Sequence, residues 1–353
     1  SLLFENEASK DQGVGAQTFF VMQAVSHALS LDKPILISGT STLELHHPRC
    51  QDSTPYSCWF HPVAFPCGGT WQSAVDSAPD AASEGRWVVS PDPEGPEKER
   101  FADMGEFFWQ VQMAGWVWRP KLATLRAASA VAHEIGLLRG GEAVGVHVRR
   151  GESCQAQNDY FGFKYKYRHK KGSCIEVEEY TKAVLKMRKR YGVSIAYISG
   201  DTIPVITALR EQLEGAGMSV ASLPLEDHVQ DQALADVVIH LVLKADAIAT
   251  SAESALIDLM LLRRCSYFVG TFSSQFSRLA YLLMASDGGY PPPFVSLDVP
   301  FFANDYLDKV VRKRHVLASE AIEMLRGADW DIQKVLDASG PGSPLDRKVD
   351  QDG

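Results

Sequence analysis

The chain has 353 residues, of which 45% are hydrophobic, and this composition is typical of a globular protein with a packed core. Its net charge of −9 argues against a nucleic-acid-binding protein whose affinity depends on neutralising phosphates. No apolar run approaches the ~18 residues that a membrane-spanning helix needs, and the amino terminus lacks the pattern of a signal peptide. We therefore expect a folded chain, long enough for about two domains of ordinary size.

The six cysteines fall into spacings that favour disulfides over metal binding. None has the Cys-x-x-Cys spacing that is typical of zinc ligands. Cys50, Cys58 and Cys67 bracket a loop rich in proline, serine and aromatic residues, and Cys154 and Cys174 bracket an insert. Such loops are often stapled by disulfides, which would indicate an oxidising compartment. Buried free thiols are the alternative, because connectivity cannot be read from a sequence.

The first third of the chain predicts the beginning of an α/β unit. Apolar residues recur at helical spacing from Gln17 to Leu31, and Pro34–Ser38 has the pattern of a strand. Residues 39–98 are rich in Ser, Pro, Asp and Gly, which is typical of an irregular segment that wraps the surface. Phe107–Val117 and Leu122–Leu138 are predicted helices, separated by a proline that ends the first of them.

From Glu142 onward the predicted strands and helices alternate, which indicates a doubly wound parallel sheet. The predicted strands are Val144–Val148, Ile195–Ser199, Val220–Leu223, Ala247–Thr250 and Tyr267–Val269. The predicted helices are Val177–Tyr191, Pro204–Ala216, Gln230–Leu243, Leu256–Leu262 and one that starts at Phe276. Beyond them, Asp305–Leu336 is predicted to be helical, and Gly340–Gly353 is predicted to be a disordered tail.

The predicted strand Val144–Val148 runs directly into two arginines, Arg149 and Arg150. A polar segment after a buried strand lies at the carboxyl edge of the sheet, where ligands of open α/β folds bind. Guanidinium groups hold phosphate oxygens bidentately and remain charged at any working pH. The pair therefore predicts an anion site for a diphosphate-bearing ligand. The alternative is that one arginine only pairs with a neighbouring carboxylate.

A second polar segment, Thr271-Phe-Ser-Ser-Gln275, lies between a predicted strand and a predicted helix. In this order of elements, the hydroxyls of Ser273 and Ser274 and the backbone N–H groups of the turn point at whatever lies against the helix N-terminus. The helix macrodipole also favours an anion there. The alternative is that these serines only cap the helix. The conjunction with the arginine pair favours the anion site.

Together these segments resemble two motifs of the α1,6-fucosyltransferases: His-Val-Arg-Arg, at residues 147–150, and Thr-Phe-Ser-Ser-Gln followed by Arg278 and Tyr281. Weaker matches keep the order of the family's motifs from about residue 10 to about residue 305. These matches are the glycine loop with Gly13 and Gly15, Trp118–Pro120, the acidic turn Ser199–Asp201, the helix residue Asp258, and Ser296–Asp298. Only the first two motifs are specific to the family.

The resemblance implies a GT-B type of α/β fold, in which two Rossmann-like domains face a cleft. We expect an acceptor-side α/β domain over residues 1–140 and a donor-binding domain, the doubly wound parallel sheet, over 141–300. A helical extension over 301–340 and a disordered tail over 341–353 would follow. For eukaryotic members the resemblance implies the Golgi or another secretory-pathway lumen. We therefore expect any membrane anchor to lie upstream of Ser1.

The resemblance also implies which residues bind the donor. The expected set is Gly13, Gly15, His147, Arg149, Arg150, Asp201, Asp258, Thr271, Ser273, Ser274, Gln275 and Arg278. Arg149 is the expected clamp on the diphosphate, and Asp258 is the expected acceptor from the N1–H and N2–H₂ groups of guanine. His147 either contacts the nucleotide or is a hydrogen-bonded core histidine.

The second arginine, Arg150, is expected to pair with Asp201 or Glu152. The family's catalytic glutamate has no counterpart here, because its position holds Gln157, which cannot accept a proton. Glu152 and Asp159 are the two alternative catalytic bases. Since the arginine clamp neutralises the diphosphate, we expect no metal and no cofactor beyond the donor substrate.

The insert Tyr160–Lys171 is dense in aromatic and cationic residues. It is predicted either to select the acceptor through stacking and charge or to be a solvated edge hairpin. The predicted function is inverting transfer of fucose from GDP-fucose to a glycan hydroxyl, with no nucleic-acid partner. One alternative is transfer from another GDP-hexose, because no motif reads the C6 methyl group of fucose. Another is a non-catalytic glycan- or nucleotide-binding relative, which Gln157 favours.

Overall fold

The computed structural model describes residues 2–4, 14–30, 35–37, 59–61, 86–87, 106–137, 142–150, 175–223, 245–289, 291–298 and 301. The strands in these ranges are β1 (Leu2–Phe4), β2 (Ile35–Ile37), β3 (Arg86–Trp87), β4 (Ala143–Val148), β5 (Ile195–Gly200), β6 (Ser219–Ser222), β7 (Tyr267–Gly270) and β8 (Phe294–Ser296). The helices are α1 (Val14–Ser30), α2 (Glu106–Val117), α3 (Leu122–Glu134), α4 (Val177–Tyr191), α5 (Ile203–Gly215), α6 (Ala245–Leu262) and α7 (Gln275–Gly288).

The described strands form two parallel sheets, which confirms the predicted α/β class. The smaller sheet has the order β2-β1-β3, and the larger has the order β6-β5-β4-β7-β8. In the larger sheet the chain runs outward from β4 to β6 and returns to β7 on the other side of β4. The order therefore reverses between β4 and β7. In open α/β sheets this reversal opens a ligand crevice at the carboxyl ends of the strands.

Strand β4 is buried along its whole length because helices cover both faces of the larger sheet. On one face, Val144, Val146 and Val148 pack against α4 and α5. On the other face lie α6 and α7, which in turn contact α1 and α2. A strand covered on both faces has no solvent side, so its sequence is a continuous apolar run.

The helices of the first 140 residues lie directly against the helices of the larger sheet. In the part of the chain that the structure describes, α1 and α2 pack on α7, and α3 packs on α6. The division into two domains near residue 140 remains a prediction. None of the helices in the described ranges combines the length and the apolar character that crossing a bilayer requires.

One predicted strand is wrong: Ala247–Thr250 lies inside helix α6. The four residues Ala-Ile-Ala-Thr, three of them apolar, suit a buried strand and a buried helix equally, and the two alanines favour the helix. Strands β1, β3 and β8 were not predicted, and each has three residues or fewer. The predicted helix Gln230–Leu243, the carboxyl-terminal helix and the tail lie outside the described residues.

Candidate active site

The two sequence motifs meet where β4 ends and α7 begins. His147, in β4, and Ser277, in α7, are 130 residues apart in the chain, yet the His147 Nδ1 and Ser277 Oγ atoms lie 2.6 Å apart. The imidazole also stacks on the Phe276 ring, with the centroids 4.6 Å apart. Strand β7 pairs directly with β4, so the turn after β7 lies at the same sheet edge as Arg149. The structure thus brings both segments to the crevice between β4 and β7.

His147 is a buried, hydrogen-bonded histidine. Burial lowers its pKa to about 4, the charge of Asp201 opposes this shift, and the charge of Arg149 adds to it. The ring is therefore neutral near pH 7, and its Nδ1 is held by Ser277. This matches the core-histidine alternative, and contact between His147 and a nucleotide remains a prediction.

Arg149, rather than Arg150, forms the ion pair with Asp201. Arg149 Nη1 donates to Asp201 Oδ2 at 2.9 Å, and the backbone N–H of Arg150 donates to Oδ1 at 2.8 Å. The guanidinium of Arg150 lies next to Glu176, with Nη1 and Oε2 3.3 Å apart. The expected side-chain pair of Arg150 with Asp201 is thus corrected, and its other expected partner, Glu152, lies outside the described residues.

Strand register explains this pairing. His147 is the register partner of Ser199, and Val148 is the partner of Gly200. The next pair along the two strands is therefore Arg149 with Asp201, and paired residues of parallel strands point to the same face. Asp201 consequently orients the guanidinium of Arg149 at the carboxyl edge, where its side chain is 36% exposed.

In the turn after β7, two backbone N–H groups donate hydrogen bonds to other groups of the protein. The Ser273 backbone N–H donates to Asp298 Oδ2 at 3.3 Å, and the Ser274 N–H donates to the Thr271 carbonyl at 3.1 Å. The expectation that these two amides face a ligand is therefore corrected. Ser274 occupies the N-cap position of α7, but its side chain makes no capping hydrogen bond.

The start of α7 keeps the features of an anion site. The first N–H groups of any α-helix have no acceptor within the helix, and the macrodipole places partial positive charge there. Gln275 Oε1 is buried, and no described residue forms a hydrogen bond with it. Thr271 and Arg278 are both buried, and the Arg278 guanidinium lies 6.0 Å from the Phe301 ring centroid. Direct contact of these two residues with a donor remains a prediction.

A third segment reaches the same place from the beginning of the chain. Gly15 lies in the first turn of α1, because this helix begins at Val14 and not at Gln17 as predicted. A Cβ atom on Gly15 would lie 2.6 Å from the Phe276 backbone nitrogen. The N-terminal ends of α1 and α7 are therefore in close contact at Phe276, and the Phe276 ring stacks on His147, two residues before Arg149. Gly13 lies outside the described residues.

We expect Gly15→Ala to weaken GDP binding and to lower the free energy of unfolding by about 1–3 kcal/mol, as overpacking does. The added methyl group must displace the α7 backbone, because no flexible side chain is there to give way. Gly215→Ala is the matched control, since a Cβ there meets nothing within 4 Å. Thermal unfolding and calorimetric titration with GDP check both variants. Equal GDP affinity in the two variants would contradict the role of this contact.

Asp258 is a buried carboxylate on α6, and it is not solvated. Its Oδ1 accepts a hydrogen bond from the Tyr197 hydroxyl, and Ser199 forms a second hydrogen bond with the carboxylate. Burial raises the pKa of Asp258 to about 7, although both hydrogen bonds oppose that shift. The carboxylate is thus close to half-ionised at neutral pH. Its proposed contact with guanine remains a prediction.

The sequence-based site missed three residues that the structure places in it: Tyr197, Ser277 and Glu176. Asp298 was part of the family match Ser296–Asp298, but no role was assigned to it. Tyr197 was detectable, because Tyr197, Ser199 and Asp201 alternate along β5 and therefore share one face. The contacts of Ser277 and Glu176 join elements that are distant in the chain, and no spacing rule indicates them.

The expected catalytic bases cannot be placed. The structure does not describe Glu152, Asp159, Gln157 or the insert 160–171. Among the six cysteines it describes only Cys265, which is a buried free thiol. No group of three or more potential metal ligands occurs among the described residues. Two Asp-x-Asp sequences, Asp329–Asp331 and Asp350–Asp352, lie beyond them. Metal independence therefore remains a prediction that depends on the arginine clamp.

Residues 97–299 match the family of alpha-(1,6)-fucosyltransferase N- and catalytic domains. Similar solved structures include the fucosyltransferase NodZ from Bradyrhizobium, with 15% identity over 84% of this chain and 94% of that chain and a TM-score of 0.43. Another is POFUT1 in complex with GDP, with 12% identity over 79% of this chain and 94% of that chain and a TM-score of 0.42. No curated protein sequence matches the chain. Because the family match spans more than half of the 353 residues, the chain belongs to the α-(1,6)-fucosyltransferase family of GDP-sugar-dependent glycosyltransferases.

Proposed function

We propose that this protein transfers fucose from GDP-fucose to a hydroxyl of a glycan acceptor, with inversion at the anomeric carbon. One observation carries the donor side of this proposal: the N-terminal ends of α1 and α7 meet at Phe276, and Phe276 stacks on His147, two residues before Arg149 at the crevice between β4 and β7. A guanidinium and two positive helix ends together suit a diphosphate.

The reaction needs stabilisation of the charge that develops on departing GDP. In the proposed mechanism Arg149 binds the diphosphate oxygens, and Ser273, Ser274 and the first turn of α7 donate further hydrogen bonds. Asp201 holds Arg149 in place before the substrate arrives. Such preorganised donors each lower a barrier by typically ~3–4 kcal/mol.

The base of the nucleotide is proposed to bind Asp258. An ionised carboxylate accepts from N1–H and N2–H₂ of guanine, and uracil does not offer this pair of donors. The carboxylate is buried, so a hydrogen bond to it is less weakened by water than at the surface. This contact would select GDP-sugars over UDP-sugars.

The acceptor hydroxyl is proposed to attack C1 of fucose through an oxocarbenium-like transition state while Glu152 or Asp159 removes its proton. A general base contributes about 10² to 10⁴ in rate. Gln157 cannot do this, which is the observation that favours a non-catalytic binding protein as the second candidate function. Release of GDP from GDP-fucose separates the two candidates, because a binding protein retains affinity without release.

Donor choice is tested by calorimetric titration with GDP, UDP and inorganic phosphate. We expect GDP to bind tightest, because both Arg149 and Asp258 contribute to its binding. Tightest binding of UDP would refute the assignment. Donor-hydrolysis assays that compare GDP-fucose with GDP-mannose then decide between fucose and another GDP-hexose.

We further propose that the reaction is metal-independent, that the N-terminal 140 residues form much of the acceptor wall, and that the protein works in a secretory-pathway lumen with disulfides in its loops. The arginine clamp supports the first point, because Arg149 supplies the positive charge that a metal ion would otherwise provide. An unchanged rate in the presence of EDTA is the expected result, and loss of activity that Mg²⁺ restores would contradict it.

A further inference from the structure

We propose that Tyr197 is a positioning residue that sets the guanine preference of the donor site by holding the carboxylate of Asp258. This inference rests on the proposed function, because it assumes that Asp258 receives the base of a GDP-sugar. Tyr197 does not itself touch the nucleotide, and it acts only through Asp258.

The geometry ties Asp258 to one strand. The Tyr197 hydroxyl donates to Asp258 Oδ1, and Ser199 forms a second hydrogen bond with the same carboxylate. Tyr197 and Ser199 are two residues apart in β5, so both point toward α6. An ionised carboxylate offers about four lone-pair positions. Two hydroxyls therefore fix its plane and leave room for the two N–H donors of a guanine edge.

A glycine allows α6 to come close enough for this contact. Gly145 of β4 is the register partner of Tyr197. A Cβ atom on Gly145 would lie 3.1 Å from Leu262 Cδ2 and 3.2 Å from Cys265 Cβ. Because Gly145 has no Cβ atom, the end of α6 can pack close against the sheet at this point. The tyrosine hydroxyl can then reach the helix residue.

The hydrogen bonds from the two hydroxyls favour the ionised form of Asp258, which is the form that accepts hydrogen bonds from guanine. Burial alone would keep Asp258 protonated, and the hydrogen bonds from Tyr197 and Ser199 lower its pKa toward the ionised form. Burial and the charge of Asp258 raise the pKa of Tyr197, so its hydroxyl remains protonated and always donates. Without that hydroxyl, Asp258 is less ionised, and only Ser199 holds its carboxylate.

Further side chains on the same face of the sheet connect Asp258 to the proposed diphosphate site. Ser199 is the register partner of His147, and His147 bonds to Ser277 at the start of α7. Asp258, Ser199, His147 and Ser277 therefore follow one another across one face of the sheet. A purely structural role for Tyr197, fastening α6 to β5, predicts a loss of stability with no change in base preference.

The experiment compares Tyr197→Phe with the wild type by calorimetric titration with GDP, inosine diphosphate and UDP. Inosine diphosphate lacks only the 2-amino group, so the GDP/inosine diphosphate affinity ratio reports one hydrogen bond to the carboxylate. We expect a ratio of about tenfold or more in the wild type and in Tyr281→Phe, which removes a different buried hydroxyl, bonded to the Pro292 carbonyl. In Tyr197→Phe the ratio should fall to about threefold or less, while UDP affinity is unchanged.

The outcomes separate the inference from the proposed function. A wild type that does not prefer GDP to UDP refutes the proposed function. A wild type that prefers GDP, with an unchanged GDP/inosine diphosphate ratio in Tyr197→Phe, overturns only the role of Tyr197. Should Tyr197→Phe fail to fold, Ser199→Ala serves in its place, because it removes the other hydroxyl from the same carboxylate. An unchanged ratio in Ser199→Ala then overturns the inference.

Discussion

Replacement of Arg149 by alanine is expected to lower kcat/KM for fucose transfer from GDP-fucose by about 100- to 1000-fold. A preorganised donor aimed at developing charge typically lowers a barrier by ~3–4 kcal/mol, which corresponds to that range. Arg149 lies at the carboxyl end of the central strand, and Asp201 fixes its guanidinium at 2.9 Å. Steady-state kinetics with GDP-fucose, supported by calorimetric titration with GDP, measure the effect.

Two further arginines serve as controls. Arg263 pairs with Asp287 and follows α6 at the opposite, amino edge of the sheet. The kcat/KM of Arg263→Ala should therefore stay within about twofold of the wild-type value. The kcat/KM of Arg150→Ala should lie between those of Arg149→Ala and Arg263→Ala, because the guanidinium of Arg150 is paired with Glu176. An Arg149→Ala variant as active as Arg263→Ala would remove the diphosphate clamp from the mechanism.

The preference for GDP over UDP is expected to weaken as the pH falls from 8 to 6. Burial raises the pKa of Asp258 to about 7, and only the ionised carboxylate accepts both guanine N–H donors. The GDP/UDP affinity ratio should therefore be constant well above pH 7. Below pH 7 it should fall, by up to about tenfold per pH unit.

The groups that the structure describes next to Asp258 do not titrate in this range. Tyr197 and Cys265 remain protonated because burial raises the pKa of both, that of Cys265 to about 12. Ser199 does not ionise, and His147 remains neutral because its pKa is lowered to about 4. Among the groups that the structure describes there, Asp258 accounts for a transition near pH 7.

Calorimetric titration with GDP and UDP between pH 5.5 and 8.5 measures this ratio. Both nucleotides carry a terminal phosphate that titrates near pH 6, so this contribution cancels. Asp258→Asn should show a flat ratio with little preference for GDP. A wild-type ratio that does not change with pH would show that Asp258 does not bind the base in its ionised form.

The regular elements of the larger sheet could be predicted because they depend on local patterns. Helix α4 was predicted with its observed bounds, since Tyr180, Ala183, Val184 and Met187 form an apolar stripe at helical spacing. Strand β4 was predicted because a strand buried on both faces has a continuous apolar sequence. Ala247–Thr250 was predicted wrongly because a segment of four residues, three of them apolar, does not distinguish a strand from a buried helix.

The sequence by itself determined the kinds of chemistry at the site: two arginines after a strand, hydroxyls before a helix, and the family motif that joins them. Only the tertiary structure decided that Arg149 pairs with Asp201, that Gly15 contacts the backbone of α7, and that Tyr197 holds Asp258. The physical reason is that a motif specifies side chains within one segment. Which of them meet depends on strand register and helix packing, and these bring together residues 130 positions apart, as His147 and Ser277 are, or 261 positions apart, as Gly15 and Phe276 are.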